Sequence, residues 1–126
     1  METLVRGSPV RVVARFALAA RFATPLALTR PARLLRLHSD GLVALRLPVD
    51  APHREPYREC QDLALETWRH PEALDGIEYR SRWDDARLCM ALFDRVADLL
   101  APGAPVPLDD LGGIRPILHR YDIRVV

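Results

Sequence analysis

The chain has 126 residues with a formal net charge of +1, and 49% of the residues are hydrophobic. This length fits one domain of ordinary size, and the hydrophobic content is sufficient for a core. A charge so close to neutral argues against a dedicated nucleic-acid-binding protein. No apolar stretch reaches the length of a membrane span, so we expect a soluble, cytoplasmic protein that contacts neither membrane nor nucleic acid directly.

The charge is distributed unevenly along the chain. Residues 1–58 contain ten arginines and four acidic residues, whereas residues 59–126 contain eight arginines and thirteen acidic residues. The net charges of the two parts are therefore +6 and −5. Such asymmetry indicates an anionic ligand or a partner surface near the first part, although a solvated surface of mixed charge explains it equally well.

The cysteines and histidines do not form a metal-binding pattern. Cys60 and Cys89 both lie among apolar residues, which is typical of free thiols in a core. There is no Cys-x-x-Cys spacing and the four histidines are scattered, so we predict no metal site.

The first third of the chain predicts a helix and a strand. Residues 9–20 have apolar side chains at helical spacing after a proline, which predicts a helix with Val12, Val13, Phe16 and Ala20 on one face. Residues 32–39 predict a strand that ends at a turn formed by Asp40 and Gly41. The apolar residues that follow leave strand and helix equally open.

The clearest predicted helix covers residues 56–70, with Trp68 as an inward-facing anchor. An Asp-Gly turn at residues 75–76 then leads into a strand over residues 77–81. Residues 88–93 form a continuous apolar run, which predicts a strand or short helix covered on both sides, with Cys89 and Phe93 in the core. Residues 115–126 predict a final strand. The predicted fold class is α+β, with a small mixed sheet and flanking helices.

Alternation along the predicted strand at residues 77–81 separates two sets of side chains. Ile77, Tyr79 and Ser81 lie on one face, whereas Glu78 and Arg80 lie on the other, with Arg82 continuing that set. From the residues alone, Tyr79 is best interpreted as core and Ser81 as the cap of the turn at residues 83–84. The two arginines are best interpreted as solvated or paired with Asp84 and Asp85, in surface pairs that contribute little stability.

A longer block carries a resemblance to a known family. The stretch "DGIEYRSRWDDARLCMALFDR", residues 75–95, resembles the most recognisable block of the RES domain family, Asp-Gly-Ile-x-Tyr-x-Ser-Arg followed by Ala-Leu-Phe. "ARLLRLHSDGLVALRL" and "YRECQDLALETWRHPEALDG" resemble the strand and the helix that precede this block. "METL" resembles the start of the family's glutamate-bearing helix. The resemblance runs from Glu2 to about Tyr121.

The resemblance implies a fold and an activity. RES domains are similar in fold to ADP-ribosyltransferase toxins, act as toxins of bacterial toxin–antitoxin pairs, and degrade NAD+, several of them as NAD+ phosphorylases. It further implies that NAD+ is a substrate rather than a bound cofactor. The implied partners are an antitoxin with a helix-turn-helix DNA-binding domain and, as an option that the resemblance leaves open, a second copy of the chain in a homodimer.

The resemblance also assigns residues. Glu2 and Ser81 match the family's catalytic glutamate and serine, and Tyr79 and Arg82 are the candidates for substrate binding. The family's arginine and early tyrosine have no counterpart here, so we expect residues 1–126 to be the C-terminal part of one RES domain. We expect this chain to consume NAD+ weakly or not at all. The alternative is a catalytically inactive remnant that acts at most as an interaction module.

These residue types suit cleavage of the nicotinamide–ribose bond. Breaking that bond builds positive charge on the ribose, and a nearby carboxylate stabilises the charge. A serine hydroxyl can hold the ribose in a reactive geometry, and an arginine can bind pyrophosphate or inorganic phosphate through its planar fork.

Overall fold

The computed structural model describes residues 11–110 and 112–126. The mixture of short strands and helices confirms the predicted α+β class. In chain order the elements are β1 (Val12–Val13), α1 (Arg15–Ala19), β2 (Phe22–Ala23), β3 (Leu26–Leu28), β4 (Leu34–Leu37), α2 (Asp40–Ala44), α3 (Arg58–Arg69), β5 (Gly76–Arg80), β6 (Leu88–Leu92), β7 (Leu100–Pro102), β8 (Val106–Pro107), α4 (Ile114–Arg120) and β9 (Arg124–Val125). Two 3-10 helices lie at Ala51–His53 and Asp94–Leu99.

The chain divides into two compact units. One consists of the described parts of residues 1–27 and 101–126, and the other of residues 28–100. In the first unit, β1 pairs in parallel with β9, and β2 pairs antiparallel with β8. Its core is a cluster of five buried apolar side chains: Val13, Leu18, Ile114, Leu118 and Ile123.

The second unit contains the three-stranded sheet that carries the family motif. Its strand order is β4-β5-β6, in which β4 and β5 are parallel and β5 and β6 are antiparallel. Tyr79 on the central strand lies opposite Leu37 on one side and Cys89 on the other. The core of this unit comprises Leu37, Leu42 and Ile77, against which Leu63 and Ala64 of α3 pack. Helix α3 therefore covers the face of the sheet that Ile77 and Tyr79 occupy.

The predicted helix over residues 56–70 is confirmed as α3, but its inward face differs in part from the prediction. Trp68 is 43% exposed, whereas Thr67 is buried. The Trp68 indole N–H donates to the Asp94 carboxylate at 3.2 Å, and the Arg95 guanidinium lies 4.9 Å from the ring centroid. Trp68 is thus a surface residue held by polar partners, because Thr67 bonds to the Leu63 carbonyl and takes the buried position.

The predictions for the two ends of the chain were wrong in part. Residues 12 and 13, predicted as helix, form β1, and Phe16 is 77% exposed. The β-branched pair Val12-Val13 gains a strand partner in Arg124–Val125, which local periodicity does not reveal. Residues 115–120, predicted as strand, belong to α4, in which Pro116 occupies the first turn, where proline costs no hydrogen bond.

The structure also corrects the predictions for residues 40–41 and 88–93. Asp40 and Gly41, predicted as a turn, begin α2. Of the two predicted alternatives for residues 88–93, strand and short helix, the strand is confirmed as β6. This strand is not covered on both sides. Leu88 is 51% exposed and Met90 is 59% exposed, because β6 is the last strand of its sheet. Cys89 and Phe93, predicted as core, are half-buried.

Candidate functional site

The Asp-Gly pair that opens the family block is structural. Asp75 is 2% exposed, and its carboxylate accepts hydrogen bonds from both terminal nitrogens of Arg30 and from the backbone N–H of Arg33. The Arg30 guanidinium and the Arg33 amide hold the pKa of the Asp75 carboxyl well below its usual value. The carboxylate therefore anchors the start of β5 to the segment that precedes β4.

Gly76 is the first residue of β5 rather than part of the predicted turn. A Cβ atom placed on Gly76 would lie 2.3 Å from the carbonyl oxygen of Ala91, a distance that real Cβ atoms do not show. Glycine is required because the backbone of β6 passes directly over this position. The Asp-Gly pair thus sets the placement of β5, and β5 sets the placement of the residues that follow.

Tyr79 forms part of the wall of an apolar cavity of about 170 Å³ between α3 and the sheet. The ring of His53 meets the ring of Tyr79 edge-on, with centroids 6.0 Å apart and planes at 68°. Tyr79 therefore packs against the core, as predicted, and also borders the cavity. The cavity is lined by Leu37, Ala51, Pro52, Cys60, Leu63, Ala64, Ile77, Tyr79 and Ala91.

Ser81 follows directly after the end of β5 and is half-buried. Its Oγ accepts a hydrogen bond from the backbone N–H of Trp83 at 3.2 Å, as the turn-capping interpretation predicted. Its own backbone N–H donates to the carbonyl of Arg87 at 2.8 Å. A hydroxyl oxygen has two lone pairs and one hydrogen, so this capping bond leaves the hydroxyl hydrogen able to donate to a ligand.

Arg82 lies beyond the end of β5 and reaches the beginning of α3. Its Nη1 donates to the phenolic oxygen of Tyr57 at 3.1 Å, and the side chain is otherwise exposed. Arg80 instead donates to the carbonyl of Asp85, and its Nε lies 3.6 Å from the carboxylate of the same residue. The predicted pairing with Asp85 thus holds for Arg80, and Arg82 has a phenol as its partner.

Three of the four predicted site residues lie at the end of β5 and directly after it. Tyr79, Ser81 and Arg82 lie within four residues of one another, and the partners of Tyr79 and Arg82 fall in the same short segment, residues 53–60. Glu2, the predicted catalytic glutamate, lies outside the described residues.

A polar cluster on the other face of the sheet was missed by the sequence analysis. His38 Nε2 lies 2.8 Å from the Glu78 carboxylate, and His38 Nδ1 lies 3.2 Å from Ser39 Oγ. Arg80 Nη2 donates to the same Ser39 oxygen at 3.3 Å. Alternation along β4 and β5 contained the signal, since it places His38, Glu78 and Arg80 on the face opposite Tyr79. Only the parallel pairing of the two strands joins them.

The remaining charges and thiols of the described residues are ordinary. Most other ion pairs are exposed and join residues close in sequence, such as Arg36 with Asp40 and Arg54 with Asp50. Cys60 and Cys89 are both free and half-buried. Within residues 11–110 and 112–126, no group of three or more His, Cys, Asp or Glu side chains is placed to hold a metal ion. In the same ranges, the helices are all too short or too polar to cross a membrane.

Comparison with known proteins gives one family and one relative. The profile of the RES domain matches residues 1–110. A protein named "Probable toxin y4kH" from Sinorhizobium fredii (strain NBRC 101917 / NGR234) is 31% identical over 100 residues, which span 79% of this chain and 78% of that protein. No solved structure matches the chain significantly. The family profile covers most of the chain, including the block from Asp75 to Arg95, and the chain therefore belongs to the RES domain family.

Proposed function

We propose that this protein is a toxin-like enzyme that degrades NAD+ by cleaving the bond between nicotinamide and ribose. The observation that carries the proposal is an apolar cavity lined by Tyr79, with Ser81 and Arg82 following Tyr79 at the end of β5, in a chain that belongs to the RES domain family. The relative named as a probable toxin supports the toxin-like part of the proposal.

The cavity suits an aromatic ring. Its wall contains Tyr79 and aliphatic side chains, and its volume of about 170 Å³ is of the order needed for the flat ring of nicotinamide. A nicotinamide ring bound in the cavity would leave water and contact the apolar wall, including the ring of Tyr79. In pockets of this kind, apolar side chains bind the ligand and a few polar groups fix its orientation.

The polar groups at the end of β5 would provide that orientation. The Ser81 hydroxyl hydrogen can donate to a ribose hydroxyl, which holds the sugar for attack. The Arg82 guanidinium has five N–H donors, of which Tyr57 uses one, so the planar fork can bind a pyrophosphate or an incoming inorganic phosphate.

Glu2 completes the proposed chemistry. Cleavage develops an oxocarbenium-like charge on the ribose, and the carboxylate of Glu2 would stabilise that charge. The attacking group is either water, which gives hydrolysis, or inorganic phosphate, which gives phosphorolysis. We propose that a helix-turn-helix antitoxin neutralises the activity, and that this antitoxin mediates any contact with DNA.

The experiment is NAD+ consumption by the purified chain, with and without inorganic phosphate, beside a Ser81→Ala variant. Because the expected rate is low, even slow NAD+ loss supports the proposal if the Ser81→Ala variant abolishes it. Stimulation by phosphate would identify phosphorolysis. The Ser81→Ala variant also loses the hydrogen bond that Ser81 Oγ accepts from the Trp83 N–H, so thermal unfolding of the variant is measured in parallel to detect a structural effect.

The competing function is a non-catalytic interaction module. It is favoured by the internal partners of the motif, since Ser81 caps a turn and Arg82 binds Tyr57. Absence of any Ser81-dependent NAD+ loss from a folded chain would establish this alternative and reject the enzymatic proposal.

A further inference from the structure

Ser39 occupies a sharp turn between a strand and a helix. It follows β4 and immediately precedes α2, and its backbone has φ 51° and ψ −129°. A residue other than glycine in this region is strained, and such strain concentrates at functional sites, where the surrounding structure maintains it. A serine on a strained strand-to-helix turn is the arrangement that presents the nucleophile in one large class of hydrolases.

The turn is tight enough to require glycine two residues later. A Cβ atom on Gly41 would lie 2.2 Å from the carbonyl oxygen of Arg36. The glycine therefore permits the close approach between the start of α2 and the end of β4, and this approach leaves Ser39 exposed. The position two residues before the serine is Leu37, which is larger than the small residue usual in such turns.

His38 and Glu78 complete a relay behind Ser39. Glu78 accepts at 2.8 Å from His38 Nε2, so the hydrogen of the neutral imidazole lies on Nε2. Nδ1 is then the basic nitrogen, and it lies 3.2 Å from Ser39 Oγ. The side chains of His38 and Glu78 are only 12% and 27% exposed, whereas the serine faces solvent. Hydroxyl, imidazole and carboxylate are connected in the order that activates a serine nucleophile, with the two ring nitrogens exchanged relative to the common serine-protease arrangement.

Arg80 supplies a cationic donor at the same oxygen. Its Nη2 lies 3.3 Å from Ser39 Oγ, within reach of an oxygen that develops negative charge during acyl transfer. The strand register that pairs β4 with β5 therefore brings Glu78 to His38 and Arg80 to Ser39.

We propose that Ser39 is the nucleophile of a second site, which cleaves carboxylic esters by acyl transfer. In the first step, Ser39 Oγ bonds to the ester carbonyl carbon while its proton passes to His38 Nδ1. The carbon–oxygen bond to the alcohol then breaks, and the departing alcohol takes that proton. Water attacks the acyl-serine in the second step with His38 again as base, releasing the carboxylic acid and restoring the hydroxyl. Glu78 holds the imidazole, and Arg80 stabilises the oxyanion.

The sheet face beside the site favours an apolar acyl group. Leu88 pairs with Arg80 and Met90 pairs with Glu78, so both lie on the same face as the cluster. They are 51% and 59% exposed, so they form an apolar strip on that face of the sheet, on the other side of β5 from Ser39. An acyl chain longer than acetyl would extend from Ser39 toward this strip, whereas an acetyl group would stay at Ser39. The substrate class is therefore an ester of a short-to-medium aliphatic acid.

The first experiment uses the full chain with 4-nitrophenyl butyrate and, separately, with a fluorophosphonate probe followed by peptide mapping. We expect catalysed hydrolysis and a single adduct on Ser39. Ser39→Ala and Ser39→Gly should both lose the adduct and the catalysed rate. The glycine variant removes the hydroxyl without straining the positive φ, and a melting temperature close to that of the wild type shows that its loss of activity does not result from misfolding. Thr24→Ala, which removes a different exposed hydroxyl, should behave as the wild type.

The roles of His38 and Glu78 can be tested separately. His38→Asn should lower kcat about a hundredfold, the usual contribution of a positioned general base. Glu78 acts through His38, so it is a positioning residue, and Glu78→Gln should lower kcat with KM unchanged. Met90→Gln should raise KM for 4-nitrophenyl butyrate and leave KM for 4-nitrophenyl acetate unchanged. This comparison tests whether the apolar strip binds the acyl chain.

Two results would overturn the proposal, and a third would reject its substrate class. The first is hydrolysis or labelling that persists in both Ser39 variants, and the second is a wild-type rate no higher than that of buffer with no adduct on Ser39. The third concerns the substrate class alone, which is rejected if Met90→Gln changes acetate and butyrate hydrolysis equally.

Discussion

The guanidinium of Arg82 donates a hydrogen bond to the phenolic oxygen of Tyr57, with Nη1 and Oη 3.1 Å apart. The two residues are 25 positions apart, and the contact attaches the segment after β5 to the residue that precedes α3. Residues 51–60 also contribute lining atoms to the cavity beside Tyr79. The contact therefore joins Arg82 to the segment between the 3-10 helix at Ala51–His53 and α3, and Ala51, Pro52 and Cys60 around that segment line the cavity.

The planar fork of Arg82 is testable by replacement with lysine. If Arg82 binds pyrophosphate, Arg82→Lys should raise KM for NAD+ about tenfold, because the bidentate geometry is lost although the charge remains. Tyr57→Phe should have a smaller effect on KM, since it frees the guanidinium without removing it. Arg87→Lys, at an exposed arginine paired with Asp84, is the matched control. Equal KM values for all three variants would exclude Arg82 from the binding site.

The cavity is testable by filling it. Ala64 lies in α3 and lines the cavity, so Ala64→Leu should occupy much of the 170 Å³ and lower kcat/KM for NAD+ about tenfold, or roughly 1.4 kcal/mol. The free energy of unfolding should stay equal or rise, because the added methyl groups enter existing space. Ala44→Leu, on the exposed end of α2, should change neither quantity. Unchanged NAD+ turnover in Ala64→Leu would show that the cavity does not receive the substrate.

Asp75 should be among the most important single carboxylates for stability. Asp75→Asn leaves Arg30 and the Arg33 amide without their charged partner, and we expect a loss of about 2 kcal/mol in urea unfolding at neutral pH. Asp62→Asn, at an exposed position on α3, serves as the control and should leave the unfolding curve in place.

The same carboxylate should make stability depend on pH in acid. Because the folded-state pKa of Asp75 is depressed by Arg30, its contribution is complete above the unfolded-state pKa of about 3.9 and is lost as the pH falls through the lower folded-state value. The difference in unfolding free energy between wild type and Asp75→Asn should therefore shrink below about pH 4. A difference that stays constant down to pH 2 would contradict this assignment.

Gly76 should tolerate no side chain. Gly76→Ala places a Cβ 2.3 Å from the backbone oxygen of Ala91, so β5 and β6 must separate, and we expect destabilisation of about 3 kcal/mol. Gly112→Ala, where a Cβ would meet no atom within 4 Å, should cost only a few tenths of a kcal/mol. Thermal unfolding of the two variants measures the difference, and similar melting temperatures would disprove the close approach.

The sequence by itself determined the elements whose cause is local. The spacing of apolar residues predicted α3, and the period of two along residues 77–81 predicted β5 and its two faces. The motif at residues 75–95 also identified the family, and it supplied Tyr79, Ser81 and Arg82 as candidate site residues. Each of these features depends on residues within one or two turns or one strand, so short windows contain the information.

Only the tertiary structure decided the features that join distant segments. Val12-Val13 became a strand because residues 124 and 125 pair with it, and the Asp-Gly pair proved to be a buried anchor and a point of close approach rather than a turn. The cluster around Ser39 depends on a parallel pairing across 40 residues. Local propensity differs by less than about 1 kcal/mol per residue between alternatives, and long-range pairing and burial outweigh it.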